Sequence, residues 1–378
     1  MIEPNNDSAG AQPLTRRGVL REAARATVVA AGSALAVSGA ADERAGADEP
    51  VSRVVCRPTV AQPKAVAPVA VFVLAGQSNM EGHGIIPADP ARNGGKGSLE
   101  HLARDPATAR RFAHLLDPAT GKWRARDDVF LSYLDRRGPL APGFGARPDR
   151  IGPELGFGWV MGNARAEPVL LIKCAWGGKS LALDFRPPSA GKPGYSFGAR
   201  TDEAIAQDPT LVGKYYRETV ALTKAALARV QELVPGSDGR CELVGFGWHQ
   251  GWNDRIHTAS TAEYASNMAH FIRAMRRDLG SARLPFAIAE TGMSGPGEMH
   301  PRALALMRAQ ASVAELPEFQ GNTAFVGTRA FWRPAEESPS GQSYHWNTNA
   351  ETYYLIGETM GEAMKQLTRA PNGGSPDH

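Results

Sequence analysis

The sequence predicts a single α/β domain, a parallel sheet with helices on both faces. Three observations carry this. Five short runs, 69–75, 168–175, 242–248, 285–289 and 323–327, are almost continuously apolar, as strands buried on both faces must be. Between them lie longer segments with apolar residues at helical spacing. Strand and helix patterns alternate along the chain, which is the order of βαβ units with right-handed crossovers.

Taken in order, the N-terminus comes first and is set apart from the fold. Arg16-Arg17 is followed by an apolar residue one place further on, then by a weakly apolar stretch from Ala26 to Val37 and small residues at Ser38-Gly39-Ala40. This pattern matches a twin-arginine (Tat) export signal over 1–41, too short to span a bilayer. The expected destination is the periplasm or the cell exterior. Residues 42–67 read as a linker, 68–370 as the domain and 371–378 as a disordered tail.

Within the domain the stripe Tyr216, Val220, Leu227, Val230 and Val234 predicts a helix in 210–234. Tyr264, Met268, Phe271, Ile272, Met275 and Leu279 predict one over 261–279, opened by a Ser260/Glu263 capping box and stopped at Gly280. Further helices are expected over 299–316 and 350–367, the last with Thr348 and Glu351 at capping-box spacing. Residues 82–150, with one short helix near 98–115, and residues 182–209 read as long loops. Loops of that length tend to shape a binding site.

Composition removes several classes of function. The 378 residues are 42% hydrophobic and 21% charged, with a net charge of +3 and no run of basic residues interleaved with aromatics, so nucleic acid is not an expected partner. No segment is apolar enough for stable membrane insertion. Cys56, Cys174 and Cys241 give neither a disulfide framework nor a zinc pattern, and no metal or cofactor is expected. Composition sets no oligomeric state.

Four short blocks carry polar chemistry. In Ala75-Gly76-Gln77-Ser78-Asn79-Met80 a serine stands just past the first buried strand, where open α/β sheets bind ligands. If a helix starts there, its N–H groups face whatever Ser78 attacks, although serine is also a common N-cap. Trp176-Gly177-Gly178-Lys179-Ser180 follows the second strand, and its paired glycines either present an N–H to a ligand or make an ordinary turn. After the third strand, Gln250-Gly251-Trp252-Asn253-Asp254 offers two amide donors. Ser343-Tyr344-His345-Trp346-Asn347 precedes the last helix, and His345 there can return over the strand ends as a general base.

Together these blocks resemble the SGNH hydrolases, most nearly the sialate O-acetylesterase-like branch and related carbohydrate acetylesterases. Gly76-Gln77-Ser78-Asn79-Met80 carries the resemblance with the greatest specificity. Gly152-Pro153-Glu154-Leu155 with Lys173-Cys174-Ala175-Trp176-Gly177-Gly178 is similar to the second block, and the resemblance extends over about 69–370. It implies a flavodoxin-like three-layer α/β/α sandwich of five parallel strands in the order 2-1-3-4-5, with no cofactor. It further implies a serine esterase removing O-acetyl groups from carbohydrates, with Ser78 as nucleophile and His345 as base. The implied oxyanion hole holds the Ser78 N–H, Gly178 (or Gly177), and Asn253 ahead of Gln250. Gln77, Asn79, Trp176, Lys179, Trp252 and Trp346 are the expected substrate contacts, with Phe185 and Arg186 on the same loops.

The chain departs from the family in one place. The aspartate usual three residues before the histidine is Gln342 here. Glu336, Glu337, Asp254 and Glu290 are the candidate replacements; without one, a Ser–His dyad remains. Other readings on the same scaffold are a carbohydrate-binding protein that does not cut and a lipid or thioester hydrolase.

Overall fold

In the computed structural model, which describes residues 67–369, the run Val69–Gly76 forms strand β1 and is buried throughout. Such a strand needs partners on both edges and apolar cover on both faces. The other strands are β2 (Gly84–Ile85), β3 (Val129–Tyr133), β4 (Arg136–Pro139), β5 (Arg150–Ile151), β6 (Val169–Ala175), β7 (Cys241–His249), β8 (Phe286–Ala289) and β9 (Thr323–Val326). Seven form one sheet in the order β4-β3-β6-β1-β7-β8-β9, while β2 and β5 pair as a separate ribbon. The five expected strands are β6, β1, β7, β8 and β9, all parallel and in the expected order.

The sheet is wider than expected. β3 extends it in parallel beside β6, and β4 turns back antiparallel along β3. Both arise from the segment read as a long loop. β4 is an edge strand of sequence Arg-Arg-Gly-Pro with no residue buried, so it lacks the apolar signal of a strand.

The helices are α1 (Ser78–Glu81), α2 (Leu99–Arg104), α3 (Ala109–Phe112), α4 (Pro153–Ala164), α5 (Ala199–Gln207), α6 (Lys214–Leu227), α7 (Val230–Leu233), α8 (Trp252–Arg255), α9 (Thr258–Asp278), α10 (Pro301–Ala314) and α11 (Ala350–Leu367). Successive residues of β1 divide between two cores, following the period of two along a strand. Ala70, Phe72 and Leu74 pack with residues of α4 and α11, whereas Val69, Val71 and Val73 pack with residues of α6 and α9. α4 has no apolar stripe, because glycines interrupt it at 156, 158 and 162. Gly156, with Gly357 opposite it, lets the helix lie directly on α11: a Cβ on Gly156 would overlap the Tyr354 carbonyl, and one on Gly357 the Pro153 carbonyl.

Two helix starts differ from expectation. His257, not Ser260, caps α9, its ring accepting from the Ser260 N–H. Asn349 caps α11 by accepting from Glu351 and Thr352. The expected leader, the linker up to 66 and the tail from 370 lie outside the described residues. No helix among the described residues is long and apolar enough to cross a membrane.

Candidate active site

The ends of β1, β6 and β7 bring the first three blocks to one edge of the sheet. Ser78 opens α1 directly after β1 and is 9% exposed. The residues flanking it are spent on the protein rather than left for substrate. Gln77 Oε1 accepts from the backbone of Gly251 (3.1 Å) and Asn253 (3.3 Å), and Gln77 Nε2 donates to Asn253 Oδ1 at 3.1 Å. Asn79 Nδ2 donates to the Tyr344 carbonyl at 3.1 Å, and Asn79 Oδ1 accepts from the Tyr353 hydroxyl at 2.7 Å. Gln77 therefore ties the serine block to the Asn253 block, and Asn79 ties it to the His345 block. Both were expected as substrate contacts, yet each is only 2% exposed.

Gly177 and Gly178 separate in role. The Gly177 N–H faces the Glu81 carboxylate and helps to stabilise its charged form. A Cβ placed on Gly177 would stand 3.0 Å from Glu81 Oε2 and 3.9 Å from Ser78 Cβ, which locates the Glu81 carboxylate beside the serine. Gly178 has φ +70°, with open space where a side chain would begin. Neither the Ser78 N–H nor the Gly178 N–H has a hydrogen-bond partner among the described residues. Asn253 Nδ2 donates one hydrogen to the Gly178 carbonyl at 2.9 Å, leaving its second free. Gln250 has nothing to spare: its Nε2 reaches Asp254 Oδ2 (2.6 Å), the Lys179 carbonyl (3.0 Å) and Gln77 Oε1 (3.3 Å).

None of the four candidate acids bonds His345. Asp254 is fully buried and accepts from the Leu181 and Ala182 backbone at 2.8 Å each, so it fixes the loop after β6. Burial pushes its carboxyl up to about 6. Glu290 accepts from Thr328 N (2.9 Å) and pairs with Arg329 (3.0 Å). Glu336 and Glu337 are exposed on a short 3-10 turn over Ala335–Glu337. The partner of His345 Nδ1 is Gln342 Oε1, at 3.2 Å. An amide oxygen only accepts, so Nδ1 carries the proton and Nε2 is left as the acceptor. Burial pulls the His345 pKa down to about 4.

The His345 backbone is unusual. Trp346, Asn347 and Thr348 follow it with φ of +53°, +53° and +54°, a left-handed run that non-glycine residues seldom adopt. The run is held by the buried Trp346 side chain, by Asn347 Nδ2 donating to Arg333 O (3.0 Å) and by Thr348 Oγ1 donating to Ser340 Oγ (2.8 Å). Trp346 is thus core and not a substrate contact, and so is Phe185. Arg186 is buried on the carbonyls of Ala182, Ala190 and Gly191. Trp176 packs on Tyr215, and Lys179 pairs with Asp184 at 3.5 Å. Trp252 remains half-buried beside Asn253, with Tyr344, 41% exposed, 5.8 Å away; the two make an aromatic wall next to His345.

Three features were not legible as site residues. Lys173, fully buried, donates to Glu154 Oε2 (2.7 Å), the Glu81 carbonyl (2.7 Å) and the Phe144 carbonyl (2.8 Å), anchoring the end of α1. Glu81 is half-buried beside Ser78, and burial raises its carboxyl pKa. His83 lies flat on His345, ring centroids 3.8 Å apart and planes 8° apart. A buried lysine beside a buried strand end was the one available signal, since lysine is seldom buried unless paired. Among the described residues no three or more His, Cys, Asp and Glu side chains are grouped so as to hold a metal ion.

Sequence comparison supplies the class of protein. The sequence profile of the family described as carbohydrate esterase, sialic acid-specific acetylesterase, matches residues 68–366, and the chain belongs to that family. It is a carboxylic ester hydrolase of the carbohydrate esterase kind. No curated protein matches the sequence. Among solved structures, the fold is similar to that of an Arabidopsis thaliana protein, at 17% identity over 79% of this chain and 98% of that one, with a TM-score of 0.51. A carbohydrate acetylesterase from Xanthomonas citri aligns at 15% identity over 79% of this chain and 56% of that one, TM-score 0.47. NanS aligns at 16% identity over 74% and 85%, TM-score 0.45.

Proposed function

We propose that the protein removes O-acetyl groups from carbohydrates through a Ser78–His345 centre. The observation that carries this is the gathering, at one edge of the sheet, of Ser78 and Gly178 with unpartnered N–H groups, Asn253 with a spare amide hydrogen, and, tied to the serine block through Asn79, His345 with a tautomer that leaves Nε2 free to take a proton. Ser78 Oγ attacks the acetyl carbonyl as His345 Nε2 accepts its proton. The carbonyl π electrons move onto oxygen, and that oxyanion is held by the N–H groups of Ser78 and Gly178 and by Asn253 Nδ2. Collapse expels the sugar oxygen, which takes the proton from His345. Water, deprotonated by His345, then attacks the acetyl-enzyme; the new tetrahedral intermediate collapses, Ser78 Oγ leaves with the proton from His345, and acetate is released.

Ser78 Oγ and His345 are not hydrogen-bonded at rest, which is common before substrate binds. The Trp252–Tyr344 wall suits a sugar ring, whose C–H face packs on aromatic surface. A twin-arginine leader would carry the acting form out of the cytoplasm, so on this reading the chain without its first 41 residues is the form to assay.

The test is acetate release from acetylated xylan and from a small acetyl ester. Ser78→Ala should lose activity by about a thousandfold or more, and Asn253→Ala by about a hundred- to a thousandfold in kcat. Full activity in Ser78→Ala would overturn the mechanism. A folded wild type that binds glycans but releases no acetate would point instead to a binding protein.

A further inference from the structure

The proposed reaction charges His345 twice in each turnover. Yet the group on its Nδ1 is a neutral amide oxygen, and Asp254 and Glu290 are committed to other partners. What does lie against the ring is a second imidazole. His83 covers one face of His345 at 3.8 Å, nearly parallel.

His83 is held firmly there. The chain before it is closed by the Gly82 N–H on the Ser78 carbonyl at 2.9 Å, and the chain after it enters β2, where Gly84 pairs with Ile151 of β5. The His83 backbone N–H faces the Tyr353 hydroxyl. That same hydroxyl contacts the His345 carbonyl at 3.3 Å and donates to Asn79 at 2.7 Å. One tyrosine therefore joins the backbones of both histidines to the residue next to the nucleophile. His83 Nε2 is buried with no hydrogen-bond partner, a costly state for a polar atom and one that calls for a reason.

A neutral aromatic ring attracts a cation over its face, and more strongly where water is excluded. His83 meets the condition of neutrality. Burial first, then the positive charges of His345, Arg150, Arg147 and Lys173, hold its pKa down to about 3. It therefore stays uncharged while His345 cycles between neutral and cationic forms.

We propose that His83 is a positioning residue for this reaction: stacked on His345, it fixes the plane of the base and stabilises the imidazolium through the ring face, in place of a carboxylate at the ring edge. This rests on the Ser78–His345 reading. The contribution comes from the face of the ring and not from either nitrogen, so an aromatic hydrocarbon should replace it and an aliphatic side chain of similar volume should not.

The experiment measures kcat and KM on 4-nitrophenyl acetate for wild type, His83→Phe, His83→Leu, Ser78→Ala and His345→Ala. Circular dichroism and urea denaturation check that each is folded. His83→Leu should lose about ten- to a hundredfold in kcat with KM within about twofold, and His83→Phe should stay within about threefold of wild type. A folded His83→Leu as fast as His83→Phe would overturn the proposal, because the aromatic face would then contribute nothing. A folded His83→Phe as slow as His83→Leu would overturn it as well, because a ring nitrogen would then be required. Should Ser78→Ala or His345→Ala keep wild-type rates, the fault lies instead in the underlying mechanism.

Discussion

Gln342 accepts the Nδ1 proton of His345 through an amide oxygen, and so orients the ring without sharing its charge. Gln342→Glu tests the difference at constant shape. The Tyr344 hydroxyl, which now receives a hydrogen from Gln342 Nε2, can turn to donate to the new carboxylate. A negative charge at Nδ1 favours the imidazolium, so the His345 pKa should rise from about 4. In a pH–rate profile the acid limb of kcat/KM should move to higher pH, and the plateau should rise about tenfold. An unmoved limb would mean that the carboxylate does not reach the ring. At this scale the sequence points to the candidate reactive residues more readily than to the side chains that support them. Ser78, Gly178, Asn253 and His345 stand out because each follows a buried strand or precedes the last helix. Gln77 and Asn79 have the same address but face inward, and sequence position does not encode that choice. Trp346 reads as a site aromatic until the left-handed backbone after His345 turns its side chain into the core.

Helix α11 matters because it begins five residues after His345 and carries Tyr353. Its cap, Asn349, accepts from the Glu351 and Thr352 N–H groups and donates to the Glu337 carbonyl (3.1 Å) and Ser338 Oγ (3.0 Å). Asn349→Ala should cost about 2 kcal/mol in urea denaturation, one part for the lost cap and one for the buried groups left unpaired. A loss below about 0.5 kcal/mol would show that water takes over these bonds. The span of α11 is legible in the sequence, but its cap is not. Thr348 has capping-box spacing, yet its left-handed backbone sends its hydroxyl to Ser340 instead. The five parallel strands are legible because buried strands must be apolar throughout. β4 is not, because an edge strand facing water carries no such obligation.

Over the whole molecule, buried histidines set a pH limit on stability. His83, His249 and His345 have pKa values pulled down by burial to about 3, 4 and 4, against an ordinary value of 6.5. For a base with a lowered pKa, the unfolded chain binds protons first. Stability is therefore fully present above pH 6.5 and falls as pH drops toward 4. Fully buried His249 alone accounts for about 3 kcal/mol of that fall, since burial outweighs the nearby carbonyls of Asn79 and Glu290. Asp254, raised to about 6, works the other way over the lower part of the window, because its protonated form suits the native state. Thermal unfolding measured from pH 7 to pH 4 should show a falling midpoint, with a shallower slope in His249→Gln; an equal slope would remove His249 from the account. The close contact of α4 with α11 has a mechanical consequence. Through Glu154 and Lys173, α4 grips the turn that carries Ser78, and α11 carries the tyrosine that bonds the His345 carbonyl. The two helices behave as the arms of a pair of tongs riveted where Gly156 and Gly357 let backbone meet backbone, so a methyl group at that rivet would spread the tips, and an enzyme still folded would lose its reach.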